Sequence, residues 1–191
     1  SDSGKEYLSD LFNLCSSLMQ IITTCSKPVI AEINGVATAA GCQLVASCDL
    51  AIASDLSKFA TPGVNIGLFC STPMVALSRN VSKKDAMKML LTGDMIDAAE
   101  AKRISLINDH VSPEKLNDSV MSLAKKIVTK PLSTVKIGKE AEISYRYRTL
   151  LYVNATIVFR HKSFQLLSAT THLPKSSLTA IIPSTIPLVG G

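Results

Sequence analysis

The segment that most constrains the fold runs from Lys27 to Asp49 and reads KPVIAEINGVATAAGCQLVASCD. Its apolar start is typical of a buried strand, which Asn34-Gly35 ends because both residues tolerate positive φ. Small residues from Ala37 to Gly41 then let another group approach the backbone closely. The pattern predicts a strand, a small-residue loop and a short helix over Cys42–Ala46, and then a second strand over Leu50–Ala53.

The start of that short helix has a chemical meaning as well as a structural one. Its first backbone N–H groups have no partner within the helix and point into the space that the small residues leave. Such groups stabilise an anion or a developing oxyanion. The alternative is that small residues only let a buried helix pack tightly on a sheet. Spacing alone favours this alternative, because no dinucleotide-binding or phosphate-binding glycine pattern is present.

The residue identities add a resemblance. Asn34-Gly35, the small-residue loop, Gly41-Cys42 with a polar residue and Leu after it, and Cys48-Asp49 together resemble the crotonase (enoyl-CoA hydratase/isomerase) superfamily. The resemblance continues to about Glu140. It implies an α/β fold, a crotonase-like spiral of β-β-α units, truncated here at the N-terminal side and with a helical C-terminal part.

The resemblance also implies an acyl-CoA site. In this family two backbone N–H groups hold the thioester oxygen, where negative charge grows during the reaction. The position matching one donor is Ala40, and the other donor is expected before Ser1. The substrate-binding positions implied by the match are Thr38, Ala39, Ala40, Pro62, Gly63, Gly67 and Ser71.

Hydratases of the family use two glutamates to activate water and deliver a proton. The matching positions here are Gln43 and Gly63. An amide takes up no proton near neutral pH, and glycine offers no side chain. Ser71 matches the position whose backbone helps to hold the water. The resemblance therefore implies acyl-CoA thioester binding without the two-Glu hydratase machinery, and it leaves enzymatic activity of the lyase class open.

Three functions remain open at this point. The first is an acyl-CoA enzyme of altered mechanism in mitochondrial fatty-acid metabolism, and the second is a non-catalytic acyl-CoA-binding or regulatory member of the family. The third is a thioester hydrolase with Cys42 as its nucleophile, which needs a nearby base. No histidine has a spacing that implies pairing with Cys42, so a small core residue is favoured. No metal cluster or cofactor is expected beyond the coenzyme A thioester.

Composition limits the partners. The net charge of +5 over 191 residues suits one domain and an acidic ligand such as a CoA phosphate, although such a balance often serves only solubility. No compact run of Lys and Arg favours nucleic acid, and no uninterrupted apolar run could span a bilayer. The five cysteines form no Cys-x-x-Cys pair, which favours reduced thiols inside a cell.

The chain is divided by where the resemblance ends. We expect residues 1–140 to form a partial crotonase-like, acyl-CoA-binding domain and residues 141–191 to be a divergent, partly disordered tail. In the family, long C-terminal helices cover the site and help to build a trimer, so we expect a homotrimer weakened by the altered tail. The resemblance also implies the mitochondrial matrix, although no transit peptide is visible.

Local signals place the remaining helices. Apolar residues recur at three- and four-residue steps and predict a helix from about Lys5 to Cys25. Ser82 and Asp97 each begin a capping box. Ser105 stands where the family usually has glycine, which costs about 1 kcal/mol if its φ is positive. His110 is expected in a loop near the end of a strand.

Overall fold

The computed structural model describes residues 2–145, with side-chain exposure from residue 4 onward. The elements in chain order are α1 (Asp2–Thr24), β1 (Ile30–Ile33), β2 (Val36–Thr38), α2 (Ala40–Ser47), β3 (Leu50–Ser54), β4 (Lys58–Ala60), a 3-10 helix (Pro62–Ile66), α3 (Ser71–Asn80), α4 (Lys83–Thr92), β5 (Ile96–Asp97), α5 (Ala98–Arg103), β6 (Asp109–Val111) and α6 (Pro113–Val128). A further helix, α7, covers residues 132–145.

The first four strands alternate between two sheets. The first sheet has the order β1-β3-β6 with parallel pairs, and the second has the order β2-β4-β5, in which only β4 and β5 are antiparallel. Ile30 lies opposite Leu50 in the first sheet, and Val36 lies opposite Lys58 in the second. Two strands and a helix therefore form one turn that is repeated, which confirms the predicted crotonase-like spiral of β-β-α units.

Buried hydroxyls join the bend after β1 to the bend after β3. Ser57 Oγ donates to Ile33 O at 2.9 Å and accepts the Gly35 N–H at 3.2 Å, and the Ser54 and Ser57 hydroxyls lie 3.0 Å apart. Lys58 N–H also donates to Gly35 O at 3.1 Å. Gly35 has φ +134°, a conformation that only glycine adopts without strain. The two bends are thus fixed to each other.

The hydrophobic core lies where the sheets meet the helices. Phe59, Leu77 and Leu90 are fully buried in the larger cluster. A smaller cluster attaches α6 to the first sheet and consists of Ile52, Leu116 and Val120 with partly buried neighbours. Apolar burial of this kind is the main favourable contribution to folding.

The N-cap bond of each predicted capping box is confirmed. Ser82 Oγ accepts the Asp85 N–H at the start of α4, and the Asp97 carboxylate accepts the Glu100 N–H at the start of α5. These side chains satisfy N–H groups that have no partner within the helix. Ser105 has φ +67°, so the strain expected for a serine with positive φ at this position is present.

Three local predictions need correction. β2 occupies part of the predicted loop, because Ala37 is buried and pairs with Phe59 of β4, a strand distant in sequence. α2 begins at Ala40 rather than Cys42, since the Gln43 N–H donates to Ala39 O at 3.0 Å. His110 lies within β6 and pairs with Ala53, so it is a strand residue.

α7 belongs to the folded unit. Its buried Lys139 Nζ donates to the Asp49 carboxylate at 2.6 Å and to the carbonyls of Ile22 and Lys27 at 3.1 Å each. The predicted division at residue 140 therefore falls inside a helix, and the division itself stays a prediction. The tail beyond residue 145 lies outside the described residues. Within residues 2–145, no helix is both long enough and apolar enough for a membrane span.

Candidate functional site

The predicted oxyanion position lies at a strained turn between β2 and α2. Ala39 has φ +47° and ψ −114°, which is an unfavourable conformation for any residue with a Cβ. It is held there from both sides, because its N–H donates to Ala60 O and its carbonyl accepts the Gln43 N–H, each at 3.0 Å. Backbone strain that the surroundings maintain in this way is concentrated at functional turns.

At this turn the first N–H groups of α2 point out of the N-terminal end of the helix. Ala40 is the first helical residue, so its N–H has no partner within α2. Ala40 and Gly41 are exposed, whereas Thr38 and Ala39 are half-buried beside β4. The Ala40 N–H takes part in no backbone hydrogen bond recorded for residues 2–145. The geometry is compatible with an oxyanion donor at Ala40.

Gln43 lies on the same helical turn. Its side chain is half-buried, and its carboxamide makes no hydrogen bond within the described part of the chain. An amide can orient a water molecule through its oxygen or its NH₂ group, but it does not take up a proton as a glutamate would.

Gly63 occupies a position with no room for a side chain. A Cβ built there would lie 2.6 Å from Leu68 O and 2.8 Å from Cys70 Sγ, closer than real Cβ contacts. The Gly63 N–H donates to Cys70 Sγ at 3.3 Å, and its carbonyl accepts the Leu68 N–H at 2.9 Å. Sequence reasoning did not find this role of Cys70, because no spacing signal links it to Gly63.

The other predicted binding positions lie on the connection from β4 to α3. Pro62 begins the 3-10 helix one residue after Thr61, and Gly67 ends that helix with φ +75°. Ser71 begins α3, which packs against α2. The Ser71 N–H already donates to Phe69 O at 2.8 Å, so the backbone donor expected to hold a water is engaged.

Cys42 does not have the environment of a nucleophile. Its side chain is fully buried, and burial, with a smaller effect of the Cys70 thiol, raises the pKa of the Cys42 thiol to about 12. A thiol with this pKa stays protonated near neutral pH, whereas a nucleophile must ionise. His110 Nδ1 instead lies 2.5 Å from Asp55 Oδ1. His161 and His172 lie outside the described residues.

Asp49 has a structural role. One carboxylate oxygen accepts the Val29 N–H at 2.7 Å, and the same oxygen lies 2.6 Å from Lys139 Nζ. The lysine was missed because it lies ninety positions further along the chain, in a segment with no motif. Both residues line a cavity of about 530 Å³ at the C-terminal end of α2, away from the predicted oxyanion turn.

Comparison with protein families supports the interpretation of this fold. The family model described as Enoyl-CoA hydratase/isomerase matches residues 8–175. The chain belongs to this family.

The enoyl-CoA hydratase/isomerase relatives include mitochondrial proteins. Enoyl-CoA hydratase domain-containing protein 3, mitochondrial, from Rattus norvegicus is 53% identical over 136 residues, which is 71% of this chain and 45% of the relative. The Homo sapiens protein of that name is 50% identical over 138 residues, covering 72% and 46%. The chain thus spans about half the length of the curated relatives it matches.

Solved structures of the family share the fold. The crystal structure of human enoyl Coenzyme A hydratase domain-containing protein 3 has a TM-score of 0.69 and 43% identity, covering 82% of this chain and 66% of that chain. An enoyl-CoA hydratase/isomerase family protein from Silicibacter pomeroyi has a TM-score of 0.73 and 38% identity, covering 83% and 69%. These similarities agree with the observed spiral.

Proposed function

We propose that this enoyl-CoA hydratase/isomerase family chain binds acyl-CoA thioesters through the Ala40 N–H and does not hydrate enoyl-CoA by a two-Glu mechanism. The observation that supports binding is the strained Ala39 turn, which presents an N–H without a helical partner at an exposed position. A fixed donor of this kind needs no reorganisation when negative charge develops on a thioester oxygen.

The absence of hydration follows from the two positions that match the family glutamates. Gln43 supplies no base, and the packing around Gly63 leaves no room for a carboxylate. Hydration of a 2-enoyl thioester needs both water activation and proton delivery to carbon. The Ala40 N–H lowers the energy of an enolate but performs neither step. Binding without hydration is also what a regulatory member of the family would do.

Binding is tested by removing one N–H group. Proline is well tolerated at the first helical position, so Ala40→Pro removes the donor while α2 keeps its other hydrogen bonds. Because a residue before proline is restricted, the comparison uses Ala39→Gly as the parent and Ala39→Gly/Ala40→Pro as the test. Lys83→Pro is the matched control, since Lys83 is the exposed first residue of α4 and follows Ser82 in an extended conformation.

The measurement is calorimetric titration with butyryl-CoA and with free coenzyme A. We expect the loss of one hydrogen bond, about 0.5–1.5 kcal/mol, to weaken butyryl-CoA binding roughly 2- to 10-fold in the Ala40→Pro variant. Free coenzyme A, which lacks the thioester oxygen, should bind both proteins equally. Equal butyryl-CoA affinity in the parent and the test variant would remove Ala40 from the site. No measurable binding by the unmodified chain would refute the proposal.

Hydration is tested with crotonyl-CoA, by following the loss of enoyl-thioester absorbance. We expect no hydration by the unmodified chain above the buffer rate. Gln43→Glu restores one carboxylate and leaves the other step uncatalysed, so we expect no large gain because the groups act as a unit. Gly63→Glu is unsuitable, since its Cβ would collide with Leu68 O. Robust hydration by the unmodified chain would show that a base comes from another segment.

The cellular setting rests on the relatives. Proteins related to this chain at 50–53% identity carry the description mitochondrial. We therefore place the proposed acyl-CoA binding in mitochondrial fatty-acid metabolism, with the matrix as the expected compartment. Fractionation of cells that express the protein, with protease protection of the organelle, would test this placement. Recovery outside mitochondria would contradict it.

A further inference from the structure

A sulfur atom joins the two ends of the segment formed by residues 63–70. Cys70 directly precedes α3, and its Sγ accepts the Gly63 N–H at 3.3 Å instead of capping that helix. The Gly63 carbonyl accepts the Leu68 N–H at 2.9 Å, so both polar groups of the Gly63 backbone bond within this segment. A Cβ at position 63 would lie 2.8 Å from the same sulfur, which therefore fills the space where a side chain would begin.

The first end of this segment is connected to the strained turn before α2. The Ala39 N–H donates to Ala60 O at 3.0 Å. Two residues, the second of them Pro62, separate Ala60 from Gly63. Proline fixes its own φ, which restricts this short connection. The place of Gly63 is therefore coupled to the turn that carries the proposed oxyanion donor.

The second end of the segment leads back to the same donor. Cys70 is the N-cap residue of α3, and α3 packs against α2, whose first residue is Ala40. Cys70 also packs against the larger core cluster. The contacts form a ring that runs from Ala40 through Gly63 and Cys70 and back to α2. A substitution can remove the link between Gly63 and Cys70, because a side chain makes it.

We propose that Cys70 is a positioning residue of the acyl-CoA thioester site, whose sulfur holds the Gly63 backbone in the place that thioester binding at the Ala40 N–H needs. The inference rests on the proposed function. Cys70 acts through Gly63, and this role needs no ionised thiol, because a thiol sulfur is itself a hydrogen-bond acceptor. Without the sulfur, the segment must be ordered when the thioester binds, which weakens binding.

Calorimetric titration of the full chain with butyryl-CoA and with free coenzyme A tests the proposal. Cys70→Ala removes the acceptor, and we expect roughly 2- to 10-fold weaker butyryl-CoA binding from the loss of one hydrogen bond. Binding of free coenzyme A should not change. Cys70→Ser keeps an acceptor on the same Cβ and should recover most of the affinity. Cys48→Ala is the matched control, because Cys48 is half-buried and packs against the same core cluster at the other end of α2.

The outcomes distinguish positioning from a general structural role. A loss of affinity that is equal for both ligands overturns the proposal, and so does an equal loss in Cys70→Ala and Cys70→Ser. If Ala39→Gly/Ala40→Pro weakens butyryl-CoA binding and Cys70→Ala does not, this inference fails while the proposed function stands. If the unmodified chain does not bind butyryl-CoA, both fail.

If Cys70→Ala does not fold by circular dichroism, alkylation of the unmodified chain decides. Butyryl-CoA should slow the reaction of iodoacetamide with Cys70 relative to Cys15 of α1, measured by mass spectrometry. The reason is that a bound thioester holds residues 63–70 closed around the half-buried sulfur. The same ratio of rates with and without butyryl-CoA would overturn the proposal.

Discussion

The buried Lys139 gives the clearest test of how the last helix is held. Its side chain is only 7% exposed, and its ammonium group contacts the Asp49 carboxylate and two backbone carbonyls, those of Ile22 and Lys27. Lys139→Met keeps most of the volume and removes the charge. The variant leaves Asp49 with the Val29 N–H as its remaining bond and leaves both carbonyls without this donor.

The expected cost follows from these contacts. Removing one partner of a buried ion pair costs about 3–5 kcal/mol, because the other charge stays behind without compensation. The Asp49 side chain is 29% exposed, so water compensates in part, and we expect a loss of about 2–3 kcal/mol in the free energy of unfolding. Urea denaturation followed by circular dichroism measures this loss.

Two further variants make the test specific. Lys136→Met removes an exposed lysine of the same helix, 3.9 Å from Glu140, and we expect a change below about 0.5 kcal/mol. Adding Asp49→Asn to Lys139→Met removes the uncompensated charge and should recover part of the loss, since replacing both charges of a buried pair is often nearly neutral. If Lys139→Met behaved like Lys136→Met, the structural role of the buried ammonium group would be refuted.

Three other predictions concern strain, reactivity and acid stability. Ser105→Gly should raise the free energy of unfolding by about 1 kcal/mol, measured by urea denaturation, because Ser105 has φ +67°. Cys42 should resist iodoacetamide in the native protein and react after unfolding, measured by mass spectrometry, because burial raises its pKa to about 12. The Arg103 guanidinium lowers the pKa of the Glu100 carboxyl in the folded state, so this pair stabilises the protein above the ordinary Glu pKa, and the contribution is lost as the pH falls through the lowered value. Glu100→Gln should flatten the acid side of the stability profile, and an unchanged profile would contradict the assignment.

Short-range signals predicted much of the fold. Ser82 and Asp97 were found as caps because a capping box lies within four residues of sequence. The order of strand, helix and second strand around Asn34-Gly35 was also predicted from signals between residues that are close in sequence. β2 was missed, because the extended backbone of Ala37 depends on Phe59, which pairs with it across a sheet. Sheet pairing between distant segments leaves no periodic pattern in three small residues.

The candidate site was predicted only through the family resemblance. Nothing local in the sequence indicates that Ala39 has a positive φ, since alanine rarely adopts one, and the Ala60 carbonyl that holds it is distant. The sequence also gives no signal of the lack of space at Gly63, because this depends on the positions of Leu68 O and Cys70 Sγ. Tertiary packing determines both features.

The buried hydroxyl of Ser57 has a consequence for the order of folding. It bonds to both Ile33 O and the Gly35 N–H, so the bend after β1 gains its partner only when the bend after β3 is in place. Closing the intervening loop costs chain entropy before any of these bonds forms. We therefore expect the two bends to gain their native structure together, late relative to the helices, whose contacts are local. The amides of Gly35 and Lys58 would then exchange with solvent through a common opening.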